Sequence, residues 1–167
     1  PGARDNVIYP FGYGLSYTSF ALSKPIAEKT GDKISVSLSV TNTGKHPGKE
    51  VVQVYYSAPQ GVLGKSNISL AGFQKTKLLA PGEKQTITIS FPIADMASYD
   101  DLGKLCKSAY VLEQGMYRFL VGTSCRDLIQ CDYQYHIQEE YIVTQQLQQR
   151  CAPNLLSKRM LSNGSFE

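Results

Sequence analysis

Residues 33–42, Lys-Ile-Ser-Val-Ser-Leu-Ser-Val-Thr-Asn, alternate apolar and hydroxyl-bearing side chains with almost no interruption. Successive side chains of a strand point to opposite faces. Period two therefore puts Ile34, Val36, Leu38 and Val40 on one face and Ser35, Ser37, Ser39 and Thr41 on the other. This predicts a half-buried antiparallel strand, apolar toward a core and polar toward water. Asn42-Thr43-Gly44 ends the strand with turn chemistry, and Pro47-Gly48 extends the loop.

The rest of the chain repeats the theme. Glu50 to Ser57 reads as a second strand, with Val52, Val54 and Tyr56 on one face. A polar, Gly-rich loop runs from Ala58 to Asn67, and Ser69 to Leu79 resumes extended structure around Phe73. Ala80-Pro81-Gly82-Glu83 has Pro second and Gly third, as a type II turn prefers. Lys84 to Phe91 alternates again, with Ile87, Ile89 and Phe91 inward and Thr86, Thr88 and Ser90 outward. Ile93 to Tyr99 reads as a short helical turn. Lys104 to Glu113 and Met116 to Thr123 read as strands joined by Gln114-Gly115, and Cys131 to Glu139 closes the set with Tyr133, Tyr135 and Ile137 in phase. About seven short strands at near-regular spacing predict a β-sandwich. Ile142 to Arg150 is Gln-rich and reads as a helix; Cys151-Ala152-Pro153-Asn154 breaks it, and the end, Leu155 to Glu167, reads as a flexible terminus. The expected division is a strap over 1–16, a sandwich over 17–140 and a tail or linker over 141–167.

The strap is Tyr9-Pro10-Phe11-Gly12-Tyr13-Gly14-Leu15-Ser16-Tyr17-Thr18. Large apolar groups favour burial, and glycine between them implies a tight turn or the close approach of another surface. Phe11, Tyr13 and Leu15 at spacing two would share one side of an extended strap. Together with Tyr9 and Tyr17 they are the expected interdomain packing residues.

Composition limits the chemistry. The chain of 167 residues is 42% hydrophobic, enough for one core. Its net charge of +3 is scattered, without the basic stripe that nucleic-acid binding needs. No run of apolar residues is long enough to span a membrane as a helix. The start, Pro-Gly-Ala-Arg-Asp, lacks both initiator Met and signal-like apolar region, as expected of an excised piece. Cysteines at 106, 125, 131 and 151 have no zinc-site spacing, so no metal site is expected. They read as reduced, partly buried thiols, with a Cys125–Cys131 bridge as the alternative if a hairpin brings the two together. Asp100-Asp101 and Glu139-Glu140 are adjacent acids, read as solvated surface instead of a catalytic pair. His46 and His136 have no Ser or Cys motif beside them, there is no G-x-S-x-G elbow, and Gly12-Tyr13-Gly14 lacks the Lys and helix of a phosphate loop. No catalytic residue and no cofactor is assigned. Tyr117, Tyr133 and Tyr135 lie in core phase, which favours packing over a sugar platform. Asn67-Ile68-Ser69 and Asn163-Gly164-Ser165 fit the glycosylation sequon, relevant only to a secreted eukaryotic parent.

Several of these segments occur together in one known family. The strap YPFGYGLSYT resembles the segment that joins the α/β sandwich domain of glycoside hydrolase family 3 enzymes to their fibronectin type III-like domain. Val40-Thr41-Asn42-Thr43-Gly44 with Gly48-Lys49-Glu50-Val51-Val52-Gln53-Val54-Tyr55 is similar to its first strand pair. Leu70-Ala71-Gly72-Phe73-Gln74-Lys75, Leu79-Ala80-Pro81-Gly82-Glu83 and Gly115-Met116-Tyr117-Arg118-Phe119 follow in the family's order. The likeness covers roughly 8–139. Where family members often carry Arg-Pro before the Gly-Phe strand, Gly64-Lys65-Ser66-Asn67 stands here. Tyr141-Ile142-Val143-Thr144-Gln145-Gln146-Leu147 resembles, less closely, the connector found in members whose barrel comes last. The family's nucleophile and acid/base motifs are absent from this sequence.

The resemblance implies an all-β, fibronectin type III-like (immunoglobulin-like) antiparallel sandwich with an N-terminal docking strap and a C-terminal tail. It implies a non-catalytic accessory domain of a β-glucosidase- or β-xylosidase-like parent, with the parent's other domains as partners. The chain alone is expected to hydrolyse no aryl β-glucoside. A cytoplasmic bacterial parent is the expected setting, a secreted one the alternative. Two other functions stay open. A carbohydrate-binding module would show an exposed, coplanar aromatic pair, and a free-standing adhesive or structural sandwich would pack its strap onto itself.

Overall fold

The computed structural model describes residues 6–148, 158, 160 and 164–166. Among these described residues nine strands form two antiparallel sheets: β1 Phe20–Leu22, β2 Ile26–Thr30, β3 Lys33–Asn42, β4 Val51–Ser57, β5 Ser69–Lys75, β6 Lys84–Pro92, β7 Ser98–Tyr99, β8 Ala109–Gly122 and β9 Leu128–Gln146. In the four-stranded sheet β3 pairs with β6 along one edge, while β1 and β2 share the other. They read as one edge strand broken at Pro25, which has no N–H to give to a ladder. Ser23 bridges the break, its hydroxyl accepting from Ser39 N at 2.9 Å. The five-stranded sheet runs β5, β4, β8, with β9 on the far edge of β8 and β7 beside its start.

The core lies between the sheets, where the alternation placed it. Ile34, Val36, Leu38 and Val40 of β3 and Ile87, Ile89 and Phe91 of β6 are buried against Val52 and Val54 of β4, Tyr117, Phe119 and Val121 of β8, and Cys131 and Ile137 of β9. Phe91 and Phe119 meet across the sandwich with ring centres 5.9 Å apart. Tyr133 stacks on Phe119 at 6.2 Å. Buried Asn42 closes one corner: its amide donates to the carbonyls of His46 and Leu79, both at 2.8 Å, and its Oδ1 accepts from the Thr18 hydroxyl at 2.7 Å. The Ala80–Glu83 turn closes as expected, Glu83 N donating to Ala80 O at 2.9 Å.

Several readings change. Gln114-Gly115 is not a turn between two strands: β8 runs through it, with a register shift between Glu113 and Gly115. Gly115 has φ +129° and a Cβ there would stand 2.8 Å from Pro59 Cβ, so the residue that read as a turn serves as a bulge. Residues 104–108 form a loop, and only Ala109 onward is strand. The sandwich does not stop at 140, because β9 continues to Gln146, where Ile142 pairs with Leu112. Residues 142–146 are thus strand instead of helix; 149–157 lie outside the described residues. The helical turn expected over Ile93–Tyr99 is shorter: Ile93–Met96 is a 3-10 turn, and Ser98–Tyr99 is strand β7.

Candidate functional site

The two outer faces of the sandwich differ. On the four-stranded sheet, outward positions of β3 and β6 pair hydroxyl to hydroxyl. Ser35 and Ser90 hydrogen-bond at 2.9 Å and Ser39 and Thr86 at 3.3 Å, with Ser37 opposite Thr88 between them and Ile26 exposed at the edge. This is a solvated face.

On the five-stranded sheet the outward positions are apolar or covered. Residues directly opposite on paired strands share a face. Phe73 of β5 lies opposite Gln53 of β4, and Leu70 opposite Tyr55, which in turn lies opposite Leu120 of β8. Phe73 is 67% exposed, while Gln53 and Tyr55, equally outward by phase, are buried. The strap covers Gln53, and Tyr55 is bonded to Gln53. Gln53 Nε2 donates to the carbonyls of Gly12 at 3.2 Å and Thr123 at 2.7 Å, and its Oε1 accepts from the Tyr55 hydroxyl at 2.5 Å. Burial, with Cys125 nearby, holds the Tyr55 hydroxyl above the usual tyrosine range, so it stays a donor. Cys125 N donates to Phe11 O at 3.0 Å and the Arg126 guanidinium to Val7 O at 2.5 Å. Tyr13 N closes a turn onto Pro10 O at 3.0 Å.

The strap is therefore fixed to the sandwich through its backbone and the Thr18 hydroxyl, while its large apolar side chains remain exposed. Tyr9, Phe11, Tyr13, Leu15 and Tyr17 are all exposed, from 48% for Tyr13 to 98% for Tyr17. Tyr9 and Tyr13 touch, with ring centres 5.4 Å apart at 37°. The structure brings Phe11 to the edge of a cleft of about 630 Å³ whose lining includes Val7, Asn67, Ile68, Leu120 and Leu128. Leu15 and Tyr17 lie outside that lining. The close approach expected for both glycines is made by Gly12 alone; nothing stands within 4 Å of a Cβ on Gly14.

The loop between β4 and β5 contributes Asn67 and Ile68 to the cleft. Lys65 Nζ donates to the Glu113 carboxylate and to Pro59 O at 2.8 Å; the other carboxylate oxygen of Glu113 accepts from Val62 N at 2.6 Å. The Lys65 and Glu113 side chains are each 5% exposed. Leu63 of the same loop packs with Ala109 and Val111 in a second small core, closed by Leu105 and Cys106. The Tyr117 hydroxyl bridges the bulge, donating to Glu113 O at 3.2 Å and accepting from Glu113 N at 3.1 Å. Burial pushes that hydroxyl up to about 12.

Asp100 is not solvated surface. It is buried, and its carboxylate accepts from the backbone N–H groups of Lys104, Leu105 and Cys106 at 2.9, 2.7 and 2.9 Å. Burial pushes its pKa up, but these donors outweigh it and leave the group below the usual aspartate value. Glu139 and Glu140 are exposed, as read. Cys106, Cys125 and Cys131 are free thiols, so the alternative Cys125–Cys131 bridge is not formed. Among the described residues no three His, Cys, Asp or Glu side chains cluster as a metal site would require. Phe73, Gln53 and the Lys65–Glu113 pair were missed as parts of the site. Phe73 carried a signal, since an aromatic on a strand beside a glycine is conspicuous. Lys65 and Glu113 carried none, because their sequence separation hides the pairing.

Residues 50–125 match the family model of the fibronectin type III-like domain. β-Glucosidase A of Butyrivibrio fibrisolvens is 49% identical to the chain over 182 aligned positions, covering all of this chain and 22% of that protein. A β-glucosidase of Ruminococcus albus is 44% identical, covering 95% of this chain and 17% of its own length. Among solved structures, a β-glucosidase from Paenibacillus barengoltzii superposes with a TM-score of 0.78 at 49% identity, over 86% of this chain and 16% of that one. β-Glucosidase 3B from Thermotoga neapolitana, in complex with glucose, does so at 0.72 and 36%, over 81% and 18%. The chain spans about a fifth of the curated relatives it matches.

Proposed function

Starting from a fibronectin type III-like domain that corresponds to a small part of family 3 β-glucosidases, we propose that this chain is the non-catalytic docking domain of such an enzyme. Its strap and the outer face of its five-stranded sheet hold the neighbouring domains in register. The observation that carries this reading is the strap itself, whose backbone is bonded to its own sandwich while its aromatic side chains stand in solvent. A strap that only closed its own core would turn those rings inward. Contiguous apolar groups left exposed mark a partner surface. Phe73 and Leu70 extend the same face. The gain for the parent is positional, since a catalytic centre loses much of its rate when its parts shift by about 1 Å. A bacterial, cytoplasmic parent that acts on β-glucosides or β-xylosides is part of this proposal.

The aromatic geometry does not favour the carbohydrate-binding alternative. Tyr9 and Tyr13 are tilted by 37° and Tyr99 and Tyr110 by 52°, so neither pair is the coplanar platform that reading called for. The test is Phe11→Ala together with Tyr13→Ala, measured in this chain and in the longer chain that contains it. Here the thermal midpoint should move by no more than about 2 °C, as for ordinary surface positions. In the longer chain the loss should be at least about 3 kcal/mol, as for a buried aromatic cut to Ala. The reverse pattern would make the strap core of this domain and end the docking reading.

A further inference from the structure

The β4–β5 loop is far longer than the roughly 2–5 residues a hairpin needs, yet it is held at every turn. Leu63 is buried beneath it, Lys65 bonds back to Pro59 O, and Val62 N is bonded to Glu113. Gly61 is so close that a Cβ there would fall 2.2 Å from Glu113 Oε1. Burying an ion pair is a poor way to stabilise a fold, because desolvation of the two charges offsets most of their attraction. Well-packed apolar replacements often serve as well. What such a pair does supply is a single geometry. The loop it fixes leads into Asn67 and Ile68, which line the cleft together with Phe11 of the strap.

We propose that Lys65 and Glu113 are positioning residues for the docking cleft. Their buried pair fixes the 59–67 loop as the rim facing Phe11, and the slot between takes one apolar segment of the neighbouring domain of the same longer chain. This rests on the docking reading above. The occupant is apolar because Val7, Pro10, Phe11, Ile68, Leu120 and Leu128 dominate the slot, and the one charged group among its described lining residues, Arg126, donates to Val7 O. It belongs to the same chain because Val7 is itself part of the lining, so the chain ahead of the strap reaches the sandwich beside the slot, and the matched relatives carry about four-fifths of their length outside this region.

The experiment is amide exchange on Lys65→Met/Glu113→Leu and on wild type, in this chain and in the longer one. In this chain the double variant should keep the wild-type thermal midpoint within a few degrees, while Val62 N–H, deprived of its carboxylate acceptor, exchanges at least tenfold faster. In the longer chain, protection of residues 7–17 should fall at least tenfold. If Val62 is freed and the strap in the longer chain stays as protected as in wild type, the clamp does not position the cleft, and the docking reading survives. If the wild-type strap exchanges equally fast in both chains, the docking reading fails and the clamp proposal falls with it. Should the double variant not fold, Gly61→Ala opens the same clamp with both charges kept and is read by the same criteria.

Discussion

Gly12 sits on Gln53: a Cβ added to the glycine would stand 2.1 Å from Gln53 Oε1 and 2.4 Å from its Nε2. Gln53 cannot swing aside freely, because its amide is already bonded to Thr123 O and its Oε1 to Tyr55. Gly12 also has φ +81°, which costs an L-residue about 1–2 kcal/mol. Gly12→Ala should therefore release the strap without unfolding the sandwich. Proteolysis between residues 6 and 18 should become faster, with the main thermal transition kept. Gly14→Ala, with open space around it and no positive φ, should do neither.

Asp100 should make part of the stability acid-labile. Its folded pKa lies below the unfolded value, so its contribution is fully present above the unfolded aspartate value of about 3.9 and is lost as pH falls through the folded one. Asp100→Asn removes charge-assisted hydrogen bonds and should cost about 1–3 kcal/mol near neutral pH. In urea melts the gap between wild type and variant should be constant above about pH 5 and narrow progressively below about pH 3.9. A gap that widens on acidification would reverse the assignment.

The two faces of β3 and β6 should separate cleanly in mutational cost. Val36→Ala or Ile89→Ala cuts a side chain buried between the sheets and should cost roughly 1–4 kcal/mol. Ser37→Ala or Thr88→Ala changes the solvated ladder and should cost less than about 0.5 kcal/mol. Equal losses in denaturant titrations would mean that the inward phase is misassigned.

Cys131 should be the slowest of the described thiols to react. Burial, with the Asp132 carboxylate adding to it, pushes its pKa up to about 11, and only the thiolate is nucleophilic. At pH 8, alkylation followed by peptide mass should find Cys106 and Cys125 modified first. Cys131 should lag by on the order of a hundredfold until the protein unfolds.

Which parts of this fold were legible follows from what a strand's period can encode. Ile34 to Val40 and Ile87 to Phe91 face a core on one side and water on the other, so alternation alone placed them. Gln53 and Tyr55 broke the pattern, because the strap lies on Gln53, a contact made from far along the chain, and Tyr55 bonds to Gln53. Gly115 read as a turn because glycine marks a bulge and a turn alike, and only the pairing of both halves of β8 with β9 separates the two. Asp100 looked solvated because Asp101 follows it. Its burial depends on the loop folding back so that Lys104, Leu105 and Cys106 present their N–H groups. The strap residues were visible as an anomaly, large apolar groups with no strand to bury them. The loop that adds Asn67 and Ile68 to the cleft at Phe11 was not visible, since Lys65 and Glu113 meet only in the folded chain.

The length of β9 sets a distance. The strand begins beside the strap, at the turn where Cys125 holds Phe11, and its other end, Gln146, pairs with Ala109. β8 spans the same ladder with 14 residues, the surplus of β9 being taken up at three register shifts, so at about 3.3 Å of rise per residue the pair runs roughly 45 Å. Polypeptide arriving at Val7 and polypeptide departing beyond Gln146 thus leave from opposite ends of the same sheet. The length of that ladder, bulges included, is therefore the separation between the two points where the described chain enters and leaves the sheet.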